Sequence, residues 1–334
     1  MDFRFSDDQV LFGETIRDIL AKDCSAAAVR QAWDNRSGTV PGLWETLAST
    51  GVIGLTAPEE AAGLGMSDVD LVLLMEELGY AACPELVLEH TAVALPLVAE
   101  AGNAAQRDRW LAPGAAGDLR ISVSLGSPFV LGAAQAHGLI LRSGDELHIV
   151  AVGETELTAQ TSVDETRRLA MVSWDPSPAT LLTADLEIIE RAERRAAVAA
   201  AAQCVGIAQR LLDATVAYVH EREQFGKPVG VNQAVKHHLA DVGKAIEFAR
   251  PMVYRGAWSI SAGAPDAPEA SSMAKLLASN AVDLACRSSL QCHGAIAYTA
   301  EYDLQLWLKR GWALSAAWGS VTDHRNRLGR SLGI

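Results

Sequence analysis

The sequence has few of the features that mark secreted or metal-binding proteins. Its 334 residues include five cysteines, an odd number with no CxxC pair, which predicts free thiols in a reducing compartment and no disulfide framework. No HExxH string or Cys/His cluster with zinc spacing occurs. The adjacent His237 and His238 lie in a predicted helix and point about 100° apart. We therefore predict no metal site.

Basic residues are also scarce. The chain has 28 Lys and Arg against 41 Asp and Glu, a net charge of -13, so it lacks the basic excess with which proteins neutralise nucleic-acid phosphates. The N-terminus MDFRFSDDQV has neither the basic nor the apolar region of a signal peptide. No apolar stretch is long enough to span a bilayer. These absences predict a cytoplasmic protein without a nucleic-acid or membrane partner.

What the sequence does contain is a change of pattern, from helical to strand-like and back to helical. Ser6 is a candidate N-cap before acidic first-turn residues, and further N-terminal helices are predicted at 41–50, 68–79, 87–101 and 104–111. Short strands separated by turns follow, predicted at 119–125, 138–142, 146–151, 156–160, 169–174 and 186–190. Long helices are then predicted at 192–222, 233–260, 273–296 and 304–319, with a linker at 261–272.

This order predicts a mainly α fold in three parts. Residues 1–118 form an N-terminal helical domain, 119–190 a small and mostly antiparallel β domain, and 191–334 a C-terminal four-helix bundle.

Three strings in this order resemble the acyl-CoA dehydrogenase family. Residues 44–85 resemble the helical hairpin of its N-terminal domain. Residues 222–242, REQFGKPVGVNQAVKHHLADV, are similar to its flavin-binding signature, and 291–310, QCHGAIAYTAEYDLQLWLKR, resemble its QxxGGxGY segment. The resemblance covers nearly the whole chain, although the middle domain matches poorly and is shortened. It implies the fold of that family and the α,β-dehydrogenation of an acyl-CoA thioester with FAD as cofactor.

The resemblance also implies which residues contribute to the flavin site. They reach across a subunit interface towards an FAD held mainly by a neighbouring chain, and they are Arg222, Phe225, Gln233, Gln291 and Gly294. Arg222 offers a planar cation to the pyrophosphate, and Gly294 lets the backbone approach it. Ala295 and Ala297 stand where the family usually has glycine, so each is expected to add a methyl group near the ligand.

The other half of the expected active site is missing from the sequence. The family's middle-domain loop, similar to TEPxAGSD, is replaced by SLGSPFVLGAAQ at 124–135, and no string similar to WITN occurs. Trp318 and Ala196 occupy the two positions at which the family carries its catalytic base, and neither side chain can accept a proton. No catalytic residue is therefore assigned, and Glu193 and Glu301 are the remaining carboxylate candidates.

The retained flavin-site residues, together with the missing base and middle-domain motif, predict a subunit that works with a catalytic partner. The pattern resembles the shortened subunit of actinobacterial heterotetrameric (α2β2) acyl-CoA dehydrogenases that act on steroid side-chain CoA thioesters. The expected electron acceptor is electron-transfer flavoprotein. Two alternatives stay open: a stand-alone flavoenzyme that uses Glu193 or Glu301 as its base, or a structural partner subunit without flavin.

Overall fold

Helices make up most of the structure, and a small β region interrupts them, as the sequence predicts. The computed structural model describes residues 4–35 and 37–334. The α-helices are α1 (Asp7–Asp23), α2 (Ala26–Asp34), α3 (Leu43–Ser49), α4 (Asp68–Tyr80), α5 (Leu95–Ala101), α6 (Ala104–Gln106), α7 (Ala112–Ala116), α8 (Leu186–Glu221), α9 (Gln233–Ser261), α10 (Ala267–His293), α11 (Leu304–Ala316) and α12 (Val321–Ser331). Two π-helical turns, Leu88–Ala94 and Arg107–Leu111, precede α5 and α7.

The start of the first helix agrees with the prediction from its sequence. Ser6 is the N-cap of α1, where its hydroxyl accepts a hydrogen bond from the Gln9 amide at 3.2 Å. The Gln9 side chain in turn accepts from the Ser6 amide at 2.9 Å. This reciprocal capping box satisfies two amide groups that a helix start otherwise leaves without partners.

The β region contains two small sheets and is mostly antiparallel, as predicted. Its strands are β1 (Ile121–Ser124), β2 (Phe129–Val130), β3 (Gly138–Ser143), β4 (Glu146–Ala151), β5 (Glu156–Ala159), β6 (Ala170–Ser173) and β7 (Leu181–Thr183). One sheet has the order β1-β3-β4-β7 and the other β2-β6-β5, and only the β1–β3 pair is parallel. A hairpin of β8 (Glu223–Gln224) and β9 (Lys227–Pro228) lies outside this region.

The strand predicted at 186–190 is wrong, because these residues form the first turn of α8. Asp185 supplies the physical reason: its carboxylate accepts a hydrogen bond from the Glu187 amide at 2.9 Å, as N-terminal caps do. The helix consequently begins at Leu186 and not at residue 192. The predicted boundary at 190/191 falls inside this helix, and the division into three domains stays a prediction.

Two further helix predictions need correction. The segment Ala26–Asp34 is helical although no helix was predicted there. The predicted linker at 261–272 is much shorter, since α10 begins at Ala267 with Pro268 in its first turn, where a missing amide proton costs nothing. The other predicted helices and strands agree with the structure to within a few residues of their ends, except that the helix predicted at 104–111 continues to Ala116.

The chain divides into two units by its contacts. One unit consists of 27–71 and 84–196 and holds the β region. Within it, the buried His90 joins two segments, because one ring nitrogen lies 3.0 Å from the Gly114 carbonyl oxygen and the other accepts from the Ile121 amide at 3.0 Å. Burial lowers the pKa of His90 to about 4, so this imidazole is neutral.

The other unit contains the helix bundle, formed by the described part of Met1–Ala26 together with 72–83 and 197–334. Small residues let its helices approach closely. A Cβ at Gly206 of α8 would lie 1.9 Å from the Glu76 carbonyl oxygen of α4, so only glycine fits there. No helix in the described ranges is long and apolar enough to cross a membrane.

Candidate cofactor-binding pocket

An open pocket of about 590 Å³ lies where several elements of the bundle meet. The end of α8, the β8–β9 hairpin, the first turns of α9, and the end of α10 with the turn Gly294–Tyr298 surround it. The lining residues are Tyr218, Arg222, Gln224, Val229, Ala234, Val235, His238, Gln291, Cys292, His293, Gly294, Ala295 and Ile296.

Three of the five predicted cofactor residues line this pocket. Arg222 directly follows α8, while Gln291 and Gly294 come from the end of α10, about 70 residues further along the sequence. Phe225 is at the tip of the hairpin and is 99% exposed. Gln233 is the exposed first residue of α9; its neighbours Ala234 and Val235 line the pocket, and Gln233 does not.

The pocket presents the positive charge of Arg222 and a stretch of backbone at Gly294 that no side chain covers. Arg222 is exposed, and none of the ion pairs of the described residues involves its guanidinium. Gly294 has φ 67°, in the left-handed region that favours glycine, and no atom lies within 4 Å of the place where its Cβ would be. The pocket therefore presents both a cation and an accessible stretch of backbone to a ligand.

The start of α9 adds hydrogen-bond donors to the same pocket. Its N-cap, Asn232, makes no side-chain cap, since the Asn232 amide group donates to the Val229 carbonyl oxygen at 2.9 Å. The amide groups of the first turn therefore have no side-chain acceptor from the N-cap. The positive end of the helix dipole at this turn also favours an anion.

Aromatic side chains form one wall of the pocket. His293 stacks on Tyr218 with ring centroids 4.3 Å apart and an angle of 19° between the rings, and Tyr302 contacts His293 from another side at 5.4 Å. The Nδ1 of His293 donates to the Ser289 carbonyl oxygen at 2.8 Å. Burial lowers the pKa of His293, which favours its neutral form. These contacts hold the imidazole in a fixed orientation.

The two alanines that replace family glycines are not equivalent. Ala295 is exposed and lines the pocket, so its methyl group does narrow it. Ala297 is 3% exposed and does not line the pocket. Of the two methyl groups, only that of Ala295 lines the pocket, and the distance of either from a bound ligand stays a prediction.

The loop that replaces the family's middle-domain motif uses its hydroxyl groups internally. The Ser124 hydroxyl donates to the Ser127 carbonyl oxygen at 2.7 Å, and the Ser122 hydroxyl donates to the Leu131 carbonyl oxygen at 2.5 Å. The Ser127 hydroxyl oxygen accepts from the Phe129 amide at 3.0 Å. These bonds stabilise a short turn into β2 and use the hydroxyl protons of Ser122 and Ser124 within the chain.

The two predicted base positions carry no proton acceptor on their side chains. Trp318 has φ 57° in the turn after α11, where its carbonyl oxygen accepts a hydrogen bond from Nε2 of His324 at 3.0 Å. Ala196 is fully buried in α8. Of the two remaining carboxylates, Glu193 forms an ion pair with Arg142 at 3.2 Å, and Glu301 is exposed.

Ten of the thirteen lining residues were not predicted as cofactor residues from the sequence. Among them, Tyr218 lies one helical turn before Arg222, and Gln224, Val235 and His238 lie within the predicted flavin-binding string at 222–242. Helical spacing from Arg222 could have identified Tyr218.

Comparison with known proteins assigns the chain to a family. Residues 6–118 match the acyl-CoA dehydrogenase N-terminal domain, and 188–333 match the C-terminal domain. The chain is 33% identical to the acyl-CoA dehydrogenase IpdE2 of Mycolicibacterium smegmatis over 327 residues, which cover 97% of this chain and 98% of that protein. The chain therefore belongs to the acyl-CoA dehydrogenase family, whose members are oxidoreductases that act on acyl-CoA.

Solved structures share this fold across their whole length. A chain of the ChsE4-ChsE5 complex from Mycobacterium tuberculosis superposes with a TM-score of 0.91 at 20% identity, covering 100% of this chain and 99% of that one. A chain of the Tcur3481-Tcur3483 steroid acyl-CoA dehydrogenase, in a G363A variant, has a TM-score of 0.88 at 24% identity and 98% coverage of both chains.

Members of the family generally bind FAD, and the described residues fit one part of that cofactor. Arg222, the Gln291 side chain and the open backbone at Gly294 suit a pyrophosphate, which needs a cation and hydrogen-bond donors. The loop at 124–135 does not fit the flavin ring equally well, because the Ser124 hydroxyl proton is donated to the Ser127 carbonyl oxygen and the Leu131 carbonyl oxygen is taken by the Ser122 hydroxyl of β1.

Proposed function

We propose that this chain is the flavin-supporting, non-catalytic subunit of a heteromeric FAD-dependent acyl-CoA dehydrogenase. It donates Arg222, Phe225, Gln233, Gln291 and Gly294 to an FAD that a catalytic partner subunit holds. The partner supplies the base that removes the α-proton of the acyl-CoA, and FAD when bound accepts the hydride from the β-carbon.

The observation that carries this proposal is the pocket at the end of the bundle. It gathers Arg222, which takes part in none of the ion pairs of the described residues, with the amide of Gln291 and the open backbone of Gly294. Phe225 extends from the adjoining hairpin and is 99% exposed. The pocket is open on the isolated chain, and an exposed aromatic ring lies beside it. Both features favour a binding site whose remaining wall comes from a second chain.

Exposed apolar side chains elsewhere in the bundle support a partner subunit. Tyr298 is 76% exposed, Phe248 is 71% exposed and Trp312 is 40% exposed. Aromatic residues are enriched in protein interfaces, where they supply most of the binding free energy. We infer that these side chains become buried in an α2β2 heterotetramer.

The similar proteins support a substrate class. One structural neighbour is a complex of two differently named chains, ChsE4 and ChsE5, and another is a steroid acyl-CoA dehydrogenase. We extend the proposal to a CoA thioester of a steroid side chain as the substrate of the complex, and to electron-transfer flavoprotein as its electron acceptor. Oxidation assays with steroid and fatty acyl-CoA thioesters of matched solubility would distinguish these substrate classes.

The test is co-expression with a full-length acyl-CoA dehydrogenase of the same organism that carries the catalytic base. We expect a stable yellow complex, and its flavin absorbance gives the number of FAD molecules per subunit pair. Arg222→Gln removes the cation that faces the pyrophosphate and is expected to lower the flavin content, while the subunit ratio stays unchanged. Arg325→Gln is the matched control, because Arg325 is an exposed arginine of α12 that does not line the pocket.

Two outcomes would refute the proposal in different ways. Oxidation of an acyl-CoA at ordinary rates by this chain alone, with loss of activity in Glu193→Gln or Glu301→Gln, would identify a stand-alone flavoenzyme. A colourless but stable complex would identify a structural subunit without flavin, a result that the methyl group of Ala295 would help to explain.

A further inference from the structure

One face of α9 points away from the bundle and carries an aromatic ring near the middle of the helix. Asp241, Phe248 and Arg255 are spaced seven residues apart, so the first and the last lie within about 20° of Phe248 around the helix axis. Phe248 is 71% exposed, and the side chains of Asp241 and Arg255 are 59% and 37% exposed. Val242 and Ala249, on the other side of the helix, are buried. The outer face of α9, defined by Asp241, Phe248 and Arg255, is therefore not the face by which this helix packs into the bundle.

The charges on the outer face of α9 are arranged symmetrically about Phe248. Asp241 lies one heptad before the ring, and Arg255, of opposite sign, lies one heptad after it. The two are about 21 Å apart along the helix, which is too far for an ion pair within one chain. Two copies of the helix that meet antiparallel at Phe248 bring Asp241 of each copy level with Arg255 of the other. The face is therefore complementary in charge to its own two-fold image.

Both charges can pair across such a contact at little cost. Within the chain, Asp241 accepts a hydrogen bond from Lys244 at 2.9 Å, and Arg255 pairs with Asp266 in the turn before α10. All four side chains are more than a third exposed, and ion pairs in such positions contribute little to stability. The net charge of -13 makes two copies of the chain repel each other on average, so a contact between copies needs matched opposite charges where they meet.

We propose that the outer face of α9 binds the same face of a second copy of this chain, about a two-fold axis at Phe248. This inference rests on the proposed function, since an α2β2 heterotetramer contains two copies of the chain. A two-fold contact uses one surface twice, and a surface that is complementary to its own image fits a second copy better than a chain of different sequence. The two Phe248 rings pack on each other at the centre, where aromatic side chains contribute most to binding.

The first test is cross-linking in the complex purified with the catalytic subunit. Phe248→Cys places two thiols side by side at the axis, and copper phenanthroline as oxidant should join two copies of this chain by a disulfide, seen on a non-reducing gel. His237→Cys is the matched control, because the two copies of this exposed position on the same helix would be about 33 Å apart. The wild-type chain should give no cross-link, since four of its five thiols are buried and Cys292 is half-buried.

The second test is charge reversal, read out as the mass of the complex by light scattering after gel filtration. Asp241→Arg and Arg255→Asp each place like charges opposite each other, and each should weaken the pairing of two heterodimers by about tenfold or more. The double variant should restore the heterotetramer, because the second change can compensate only across the axis. Asp18→Arg, at an exposed position of α1, is the matched control and should leave the heterotetramer intact.

The possible results separate this inference from the proposed function. Failure of Phe248→Cys to cross-link, or a double charge reversal that stays as dissociated as the single variants, overturns the contact between copies. Flavin content per subunit pair should be unchanged in Asp241→Arg, because Asp241 does not line the pocket, and a loss of flavin with no change in mass also overturns the inference. A colourless wild-type complex refutes the flavin-supporting role instead, and the cross-link then still decides whether two copies meet at Phe248.

Discussion

Phe225 provides a prediction in which stability and function change in opposite directions. It is the first central residue of the β8–β9 turn, and both Phe225 (φ 53°) and Gly226 (φ 74°) have left-handed backbone conformations. Such turns favour asparagine at this position, because a left-handed conformation costs an ordinary residue roughly 1–2 kcal/mol. Since Phe225 is 99% exposed, its ring makes almost no contact that offsets this cost in the isolated chain.

Phe225→Asn should therefore stabilise the isolated chain by about 0.5–1 kcal/mol, the part of the backbone cost that asparagine avoids. In the complex the same change removes an aromatic ring that would bury about 150–250 Å² against the cofactor or the partner. A central aromatic contact contributes about 2 kcal/mol or more, so assembly or flavin retention should weaken by about thirtyfold or more.

Two measurements on the same variant check this prediction. Urea denaturation of the isolated chain gives the stability change, and flavin absorbance after dialysis of the co-purified complex gives the functional one. Phe225→Leu serves as a control that keeps an apolar side chain but loses the ring. A variant that is less stable alone, or a complex that keeps its full flavin content, would refute the interpretation of Phe225 as a contact for a second chain.

Two other changes test the fold. Burial raises the pKa of Glu85 from 4.5 to about 7, so the folded state binds this proton more tightly and loses stability as the pH rises between these values. Glu85→Gln keeps an acceptor for the Val40 amide, which lies 3.0 Å from the Glu85 carboxylate. In urea denaturation, this change should stabilise the protein by about 3 kcal/mol at pH 8 but little near pH 4.5. An equal gain in stability at both pH values would contradict this prediction. Gly206→Ala should destabilise the protein by about 1–3 kcal/mol or more, because the methyl group would overlap the Glu76 carbonyl oxygen. Gly243→Ala is its control and should be neutral or stabilising in the same denaturation assay, since the nearest atom to its Cβ would be 3.8 Å away.

The fold was predictable where local sequence signals and packing agree. The capping box at Ser6 and the long apolar periodicities identify α1, α4 and α9 directly. The error at 186–190 has a physical cause: LEIIE alternates aliphatic and acidic residues as a half-buried strand does, and the Asp185 cap that starts the helix lies just outside that string. The missed α2 has an Ala-rich sequence with high helix propensity, so its signal was present in the sequence.

The pocket was predictable only in part, because sequence strings do not give side-chain directions. The string 222–242 contains Arg222 and His238, but only the helix geometry shows that His238 faces the pocket and that His237 does not. Tyr218 lies before the string, in the last turn of α8, and comes to the pocket by stacking on His293, which is 75 residues away in sequence. Such a pairing depends on how the helices of the bundle pack and has no local signal.

The distribution of what the chain keeps and what it lacks supports a role in a heteromer. None of the ion pairs of the described residues involves Arg222, and a 99% exposed Phe225 in a left-handed conformation is a cost to the isolated chain. Both are explained if they act on a ligand that another chain holds. The expected base positions and the middle-domain loop, in contrast, have structural contacts. Ala196 is buried, the Trp318 carbonyl oxygen accepts a hydrogen bond from His324, and the Ser124 hydroxyl donates within the loop at 124–135. A chain that had lost its function altogether would have no reason to keep the costly features, and a complete enzyme would need the reacting residues. A subunit that supports flavin for a catalytic partner accounts for both observations.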